Sequence, residues 1–395
     1  MTSATRWAKA CPRAADTRDF AEPILGSVGD VTAEMIKEHP DIYEIGDQAG
    51  LSGLQARYDE QLRGTPGVVI QAVEEDGTET ELYRSDAAPG KSLALTMDVR
   101  LQTEAERLLA GVGPASAIVA IRPTDGAILA AANGPGNGGQ NLATYGQYAP
   151  GSTFKSVSGL ALLRAGLTPD ATVSCPPTTV VDGKRFKNYS DYPSSVLGRI
   201  PFRAALANSC NTAFIGERDR LKDLDLFDAA ASLGMAVDHD LGFPAYFGSV
   251  EPAESETEKA ANMIGQGRIL ASPMTMAAVI ASVQQGEVVV PRLLEDVKVK
   301  APDHEPMSRG EAAALRGMLR GVVTSGSGIG LADVPGPEVI AKTGTAEFQG
   351  DRGIETHAWM IAAQGDLAVA VFVEVGQSGS STAGPILEQF LRTAG

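Results

Sequence analysis

The residues best able to do chemistry are Ser152 and Lys155, which stand three positions apart just after Pro150 and Gly151. The residues that follow have the apolar spacing of a helix, which predicts that the serine lies in a first helical turn: Phe154, Val157, Leu160, Ala161 and Leu163. Residues three apart on a helix share one face, so the amine can reach the hydroxyl. A serine with an amine base and free backbone N–H groups is the arrangement of an activated nucleophile.

Taken alone, S-x-x-K favours a plain helix cap beside a solvated lysine. Two later stretches favour the activated nucleophile instead. Ser209 and Asn211 form S-x-N, 57 residues after Ser152, and Lys342–Thr345 form K-T-G-T, 190 residues after it. Ser209 and Asn211 taken alone fit a cap and a turn. In this order, however, the three motifs are the signature of penicillin-binding proteins and class A β-lactamases.

Composition limits the other functions that the chain could have. Its 395 residues allow two or three domains, and the net charge of −16 argues against nucleic acid or an anionic membrane surface as the main partner. Four scattered histidines and three cysteines without a C-x-x-C pattern predict no metal site and no cofactor. Cys175 and Cys210 are the favoured disulfide pair, because Cys210 flanks the S-x-N loop, but unpaired buried cysteines fit the sequence equally well.

The elements that must position these motifs follow from hydrophobic periodicity. Strands are expected at residues 92–97, and hairpins join 117–121 to 127–131 and 357–363 to 367–373. The K-T-G motif lies on a strand over residues 339–346. Helices are expected from Val99, from Pro273, over 311–324 and over 385–392. The segment from 168 to 200 has little periodicity and is expected to be rich in loops.

The N-terminal part is predicted to be a small α/β segment that cannot hold a large core by itself. The expected organisation is a truncated non-catalytic segment with a linker over residues 1–88 and a second domain over 89–395. No stretch has the pattern of a signal peptide, and no apolar run approaches the roughly 18 residues of a membrane span. The sequence thus predicts no anchor and no export signal.

The chain resembles the transpeptidase domain of class B penicillin-binding proteins from Ser92 to its C-terminus. The likeness extends upstream to Gly53–Asp59 and Leu62–Gly67, and it includes Ile264–Gly267. It implies an α+β fold, with an antiparallel sheet flanked by helices as in β-lactamases and transpeptidases and with the site at the edge strand that bears K-T-G. A transmembrane helix and an R-G-x-I-x-D-R-x-G stretch, both usual in the family, are not found in this sequence.

The resemblance also assigns roles to single residues. Ser152 would be the acylated nucleophile, Lys155 its base, Ser209 a proton relay and Asn211 a holder of the substrate peptide. The backbone N–H groups of Ser152 and Thr345 would form the oxyanion hole. The substrate would be bound by the K-T-G-T residues, of which the two threonines and the lysine hold its carboxylate: Lys342, Thr343, Gly344 and Thr345.

The implied reaction is attack on a D-alanyl-D-alanine amide and transfer of the acyl group to the amine of a neighbouring peptidoglycan stem peptide. β-Lactams would mimic the donor and leave a long-lived acyl-enzyme. The family also implies a membrane glycosyltransferase as partner and a place at the extracytoplasmic face of the bacterial cytoplasmic membrane.

Lysine basicity sets a physical condition on this assignment. A free lysine titrates near ~10.4 and must reach about 7 to act as a base at neutral pH. A helix N-terminus supplies only about 0.3–1 kcal/mol, so burial and a second cation must provide most of the effect. We therefore expect Lys342 to face Lys155 across Ser152.

Two alternatives stay open at this point. A D,D-carboxypeptidase or serine β-lactamase would use water as acceptor, and a β-lactam sensor would be catalytically idle. Cys210 stands where class A β-lactamases usually carry aspartate, and Glu217 is not followed by the x-x-Leu-Asn of those enzymes, so rapid hydrolysis is not expected. Trp359 is expected in a core strand and His357 on the surface.

Overall fold

The computed structural model describes residues 2–7, 20–299, 304–350 and 353–394. The chain divides into two compact units, Met1–Leu95 and Thr96–Gly395, and each is described by itself.

The first unit is small and holds two antiparallel sheets, of order β1-β4-β5 and β2-β3. Its interior is organised around the buried Asp59, which accepts hydrogen bonds from the Tyr43 hydroxyl at 2.7 Å and the Gly50 N–H at 2.8 Å. The described elements are β1 Thr2–Trp7, α1 Glu22–Leu25, β2 Val28–Asp30, α2 Ala33–Glu38, β3 Gln48–Gly50, α3 Gly53–Arg57, α4 Asp59–Leu62, β4 Gly67–Val73 and β5 Glu79–Ser85.

The second unit contains the remaining elements. Its strands are β6 Ser116–Ile121, β7 Ile128–Asn133, β8 Thr172–Cys175, β9 Thr178–Val181, β10 Lys184–Lys187, β11 Gly198–Pro201, β12 Ser249–Val250, β13 Ile269–Leu270, β14 Val339–Gly350, β15 Gly353–Gln364 and β16 Leu367–Val373. Its helices are α5 Val99–Leu109, α6 Leu142–Tyr145, α7 Lys155–Arg164, α8 Phe202–Ala207, α9 Asn211–Gly216, α10 Asp225–Ala231, α11 Glu256–Asn262, α12 Pro273–Gln285, α13 Arg309–Ser325 and α14 Gly384–Ala394.

A five-stranded antiparallel sheet of order β14-β15-β16-β6-β7 forms the centre of this unit. Successive side chains of a strand point to opposite faces, so Val369 and Val371 of β16 join the layer formed with α5 and α14. Helix α12 packs on β16 and β6, and its residues from Pro273 to Val283 are all buried. The predicted α+β fold with an antiparallel sheet flanked by helices is confirmed, and the K-T-G strand lies at its edge.

Two local expectations need correction. Residues 92–97 form no strand, because Thr96 makes single bonds to two different segments: its N–H donates to Leu293 O, and its hydroxyl lies 2.8 Å from Arg292 O and 2.9 Å from Ile128 O at the start of β7. The segment from 168 to 200, expected to be rich in loops, also contributes to two short antiparallel pairs, β8–β11 and β9–β10. Strands of four residues are too short for a clear period-two pattern.

Candidate active site

The turn that presents Ser152 is held by backbone contacts that demand glycine. Residues Gly151–Phe154 form a 3₁₀ turn that leads into α7. Gly151 has φ of 52°, and a Cβ there would lie 2.4 Å from Thr345 O. Gly265 has φ of 72°, and its carbonyl accepts from the Gly151 N–H at 2.9 Å. The Ile264–Gly267 stretch thus braces the nucleophile turn, and only glycine allows so close an approach.

Trp359 of β15 fixes the same turn from the sheet. Its indole N–H donates to Ala149 O at 3.0 Å, and the ring is fully buried. The neighbouring Tyr148 pairs with Ala271 through two backbone hydrogen bonds. The serine therefore follows directly after residues that are anchored to two separate elements.

Ser209 occupies a helix C-terminus in the left-handed conformation. Helix α8 ends at Ala207, the Ser209 N–H donates to Leu206 O, and the Cys210 N–H donates to Ala205 O. This pair of bonds is a Schellman motif, in which the position of Ser209 is normally taken by glycine. Ser209 instead has φ of 58°. The conformation directs both its carbonyl and its hydroxyl to Lys155.

Lys155 is fully buried, and four oxygen atoms surround its amine. Nζ lies 2.6 Å from Asn211 Oδ1, 2.8 Å from Ser209 O, 3.1 Å from Ser152 Oγ and 3.2 Å from Ser209 Oγ. The amide orientation of Asn211 follows from its Nδ2, which donates to Lys187 O at 2.9 Å. Ser152, Lys155 and the S-x-N loop therefore form one hydrogen-bonded group.

The oxygen atoms around Nζ are compatible with a neutral Lys155. An ammonium group donates three hydrogen bonds and accepts none. A neutral amine donates two, which the carbonyl of Ser209 and the amide oxygen of Asn211 can take, and its lone pair is then free to accept the hydrogen of the Ser152 hydroxyl. Burial, and secondly the positive charge of Lys342, hold the pKa of Lys155 well below its usual value.

Lys342 of β14 reaches the same hydroxyl from the other side. Its Nζ donates to Ser209 Oγ and to Thr343 O, each at 2.9 Å. Burial lowers the pKa of Lys342 to about 7. The two lysines were expected to face each other across Ser152, but they meet at Ser209. The second cation does lie next to Lys155, as the lowered pKa of that base requires.

The K-T-G residues line the free edge of the sheet. In an antiparallel strand a residue directs its N–H and C=O to the same side. Thr345 O faces Gly151, so the Thr345 N–H also points out of the sheet toward the nucleophile turn. The Ser152 N–H lies in a first helical turn, where no partner exists within the helix. The two proposed oxyanion donors therefore come from the turn that holds Ser152 and from the strand edge that approaches this turn at Gly151.

Sequence reasoning missed Ser327. This residue follows α13, and its hydroxyl lies 2.7 Å from Thr343 Oγ1, while its N–H donates to Ala207 O. Ser327 thus links the K-T-G strand to the end of α8. Nothing in a Gly/Ser loop marks this contact, because its partners stand 16 and 120 residues away.

His357 was expected at the surface, and this expectation is wrong. Its ring is buried, stacks on Phe348 with centroids 4.0 Å apart, and has Nδ1 2.7 Å from Glu374 O. Burial lowers its pKa. Trp359 lies in a core strand, as expected.

Cys175 and Cys210 form a disulfide, the pairing that the sequence favoured. Both residues are fully buried. The bond joins strand β8 to the middle residue of the S-x-N motif.

Two family models match the chain. The penicillin-binding protein transpeptidase domain matches residues 116–392, and the penicillin-binding protein dimerisation domain matches residues 6–95. The part of the chain that the structure describes contains no helix with the length and apolar character needed to span a membrane.

Named relatives support the same family. The chain is 27% identical over 444 residues to the peptidoglycan D,D-transpeptidase MrdA of Acinetobacter baumannii, covering 95% of this chain and 65% of MrdA. It is 28% identical over 317 residues to the peptidoglycan D,D-transpeptidase PbpA of Mycobacterium tuberculosis, covering 69% of this chain and 64% of PbpA. The chain thus spans slightly less than two thirds of the length of these curated relatives.

A solved structure agrees with these matches. A chain in a peptidoglycan synthase complex, studied for its coordination of polymerization and crosslinking, superposes with a TM-score of 0.79 at 27% identity, covering 94% of this chain and 74% of that chain. An antiparallel sheet between helices, with S-x-x-K, S-x-N and K-T-G at its edge, defines the penicillin-recognising serine proteins. The chain belongs to the penicillin-binding protein transpeptidase family, and within it to class B.

Proposed function

We propose that this protein is a peptidoglycan D,D-transpeptidase that crosslinks stem peptides through a serine acyl-enzyme and is acylated and inhibited by β-lactams. The observation that carries the proposal is the hydrogen-bonded chain from Ser152 through Lys155 and Ser209 to Lys342. It joins all three motifs, and burial lowers the pKa of both of its lysines. The relatives named above as D,D-transpeptidases support the same reaction.

In the acylation step, Ser152 Oγ attacks the carbonyl carbon of the D-alanyl-D-alanine amide. The neutral amine of Lys155, 3.1 Å away, accepts the hydroxyl proton as the new C–O bond forms. The carbonyl oxygen becomes an oxyanion, and the N–H groups of Ser152 and Thr345 stabilise it. Such donors typically contribute about 2.7–4 kcal/mol each to the transition state.

The leaving group then needs a proton when the tetrahedral intermediate collapses. Lys155, now protonated, is hydrogen-bonded to the Ser209 hydroxyl, which also touches Lys342. A proton passes through Ser209 to the departing amine, and terminal D-alanine leaves as the C–N bond breaks. Lys155 returns to the neutral form and can activate the next nucleophile.

Substrate binding is assigned to the edge of the sheet. Lys342, Thr343, Gly344 and Thr345 take the terminal carboxylate, and Asn211 holds the peptide. The Ser327 hydroxyl, which touches Thr343, provides a further donor beside the carboxylate. The acceptor amine of a second stem peptide attacks the acyl-enzyme from the open side.

Slow hydrolysis separates this proposal from a serine β-lactamase or a carboxypeptidase. Within the described ranges, the hydrogen-bond partners of Ser152, Lys155, Ser209 and Lys342 include no carboxylate. Glu217 is paired with Arg220 instead. A water molecule near the acyl-enzyme therefore has no acidic residue to activate it.

The deciding experiment follows intact mass with time after addition of benzylpenicillin. We expect a 1:1 adduct that persists for hours in the wild-type protein and is missing in Ser152→Ala. Peptide mapping should place the adduct on Ser152. Ser156→Ala is a matched control and should form the adduct, since Ser156 lies one helical turn on in α7 and its buried hydroxyl has no hydrogen-bond partner in the described part of the chain.

Each other outcome has a definite meaning. An adduct that forms and disappears within seconds would favour the β-lactamase alternative. Release of D-alanine from a stem pentapeptide without crosslinked product would favour a carboxypeptidase. A folded protein that forms no adduct would contradict the proposal.

The place of action and the partners are part of the same proposal. The disulfide fits an oxidising compartment, as expected for the extracytoplasmic face of the cytoplasmic membrane. The similarity to a chain of a peptidoglycan synthase complex supports a partner that polymerises glycan, which we propose to be a membrane glycosyltransferase. The assignment of residues 1–88 as non-catalytic and of 89–395 as the transpeptidase domain belongs to this proposal as well.

A further inference from the structure

The S-x-N loop is attached to a part of the molecule that carries none of the three motifs. We call residues 172–201, which hold β8 to β11, the hairpin segment. It meets the loop through the Cys175–Cys210 disulfide and through Asn188, which follows β10. Asn188 Nδ2 donates to Pro176 O at 3.2 Å, and its Oδ1 accepts from the Thr212 N–H at 3.2 Å.

From this arrangement we infer that the Cys175–Cys210 disulfide and Asn188 are positioning residues for the acylation reaction. They act through the S-x-N loop by holding Ser209 and Asn211 against the amine of Lys155. This inference rests on the proposed function. It adds residues outside the three motifs that influence the rate of the acylation step.

The first argument is the conformation of Ser209. A left-handed backbone is unfavourable for a residue with a Cβ, so it persists only where the surroundings enforce it. Residues 208–210 alone connect α8 to α9, and the next residue, Cys210, is bonded covalently to β8. A rotation of Ser209 to a relaxed conformation would have to move Cys210, and β8 is itself fixed by its pairing with β11.

The second argument is what the loop supplies to the base. Three of the four oxygen atoms around Lys155 Nζ belong to Ser209 and Asn211. Asn211 is tied to the hairpin segment as well, because its Nδ2 donates to Lys187 O. Displacement of the loop would therefore remove most of the shell that orients the amine, while Ser152, in the 3₁₀ turn before α7, stays in place.

The third argument is burial. Cys175, Cys210 and Asn188 are all buried, and Thr212 Oγ1 donates to Pro176 O at 2.7 Å between them. The contact between the hairpin segment and the S-x-N loop is thus buried, and the disulfide does not lie at the surface. Loosening it would admit water to Lys155. Lys342 of β14 is the charged group that faces this amine, and it would be hydrated as well.

The test measures acylation by a fluorescent penicillin with rapid mixing, over a range of drug concentrations and pH. Cys175→Ser with Cys210→Ser keeps side-chain size and replaces the capping sulfur at the start of α9 with a capping oxygen, but it removes the covalent link. We expect the limiting acylation rate constant to fall at least 10-fold with little change in the half-saturating concentration. The midpoint of its pH profile should move to higher pH, because water around Lys155 relieves the burial that lowers the pKa.

A control variant and a second test variant accompany the double cysteine variant. Cys11→Ser retains the disulfide and should behave as wild type. The rate constant is taken per acylated molecule, so a partly unfolded sample lowers the amplitude and leaves the constant readable. If the double variant does not fold, Asn188→Ala decides: it retains the disulfide and should lower the rate constant about 3-fold or more, with the same direction of the pH midpoint.

Wild-type rate constants and pH midpoints in the folded variants would overturn the inference, even if their thermal midpoints fall, since that result describes a purely structural bond. A wild-type protein that forms no adduct contradicts the proposed function itself, and this inference with it.

Discussion

Two buried lysines converge on one hydroxyl group, that of Ser209, and this residue is held in a backbone conformation that its side chain disfavours. Lys155 and Lys342 each hydrogen-bond to Ser209 Oγ, from α7 and from the edge strand β14. The position in the Schellman motif would suit glycine better. A serine there is explained by the proposed proton relay, since its hydroxyl links the two amines and glycine has no side chain to do so.

Substitution of Ser209 should therefore separate stability from activity. A left-handed residue with a Cβ costs about 1–2 kcal/mol relative to glycine, partly offset by the greater freedom of glycine in the unfolded chain. We expect Ser209→Gly to exceed Ser209→Ala in free energy of unfolding by about 0.5–1 kcal/mol. Both variants should lose acylation equally. Urea unfolding and penicillin binding measure the two effects, and equal stabilities would contradict the assigned conformation.

The burial of Lys342 should appear in the pH dependence of stability. Its pKa is about 7 in the folded protein and ~10.4 in the unfolded chain, so between these values the unfolded state binds the extra proton. The free energy of unfolding then rises with pH. The penalty is fully present below about pH 7 and is lost as the pH approaches ~10.4.

Lys342→Met removes this contribution. We expect its gain in free energy of unfolding over wild type to be largest near pH 6.5 and to shrink by pH 9.5. Lys222→Met, which removes a charge from an exposed position, corrects for the change in net charge. A gain that does not vary with pH would show that Lys342 is not buried as a neutral amine.

The elements that hold the site were predictable to different degrees. The S-x-x-K helix, the hairpin of β15 and β16, and the K-T-G strand follow from local periodicity and turn residues, and so were expected. The anchoring of Ala149 by Trp359 and the contact of Ser327 with Thr343 were not. These contacts join residues up to 210 positions apart, and a pattern along the chain records no such distance.

At residues 92–97 the local pattern predicted a strand that the structure does not contain. The alternating composition of this stretch satisfies a strand pattern, yet the N–H and hydroxyl of Thr96 bond to Arg292 and Leu293, outside the named strands, and to Ile128 at the start of β7. Composition alone cannot distinguish a residue that pairs with a neighbouring strand from one that makes isolated hydrogen bonds to other segments.

The close contact between the nucleophile turn and the edge strand yields a matched pair of variants. Gly151 and Gly138 have similar φ values, 52° and 60°, but a Cβ at Gly151 meets Thr345 O whereas nothing lies within 4 Å at Gly138. We expect Gly138→Ala to cost about 1 kcal/mol of stability with acylation unchanged. Gly151→Ala should cost at least twice as much and slow acylation 10-fold or more, as urea unfolding and penicillin kinetics can check.

At the level of the whole molecule, the reactive groups are all contained in one of the two units. In the described part of the chain, the hydrogen bonds made by the side chains of Ser152, Lys155, Ser209 and Lys342 all end on residues between 152 and 343, within the unit Thr96–Gly395. The first unit, with its small sheets and its buried Asp59, has a separate interior. Acylation is thus expected to be a property of the second unit.

A fragment of residues 89–395 provides the measurement. We expect it to fold and to be acylated by benzylpenicillin within 3-fold of the full-chain rate constant. Circular dichroism establishes folding, and intact mass follows the adduct. A folded fragment that is acylated far more slowly would show that residues 1–88 contribute to the catalytic geometry.

The buried disulfide also restricts the order of events as the chain folds. It closes a ring between residues separated by 35 positions, which lowers the entropy of the unfolded chain and is worth about 4 kcal/mol in a simple loop model. Because both sulfur atoms are fully enclosed in the folded protein, an oxidant must act before the core closes. A chain that collapses first would seal two thiols inside, so oxidation competes with folding, and the bond once made is shielded from exchange.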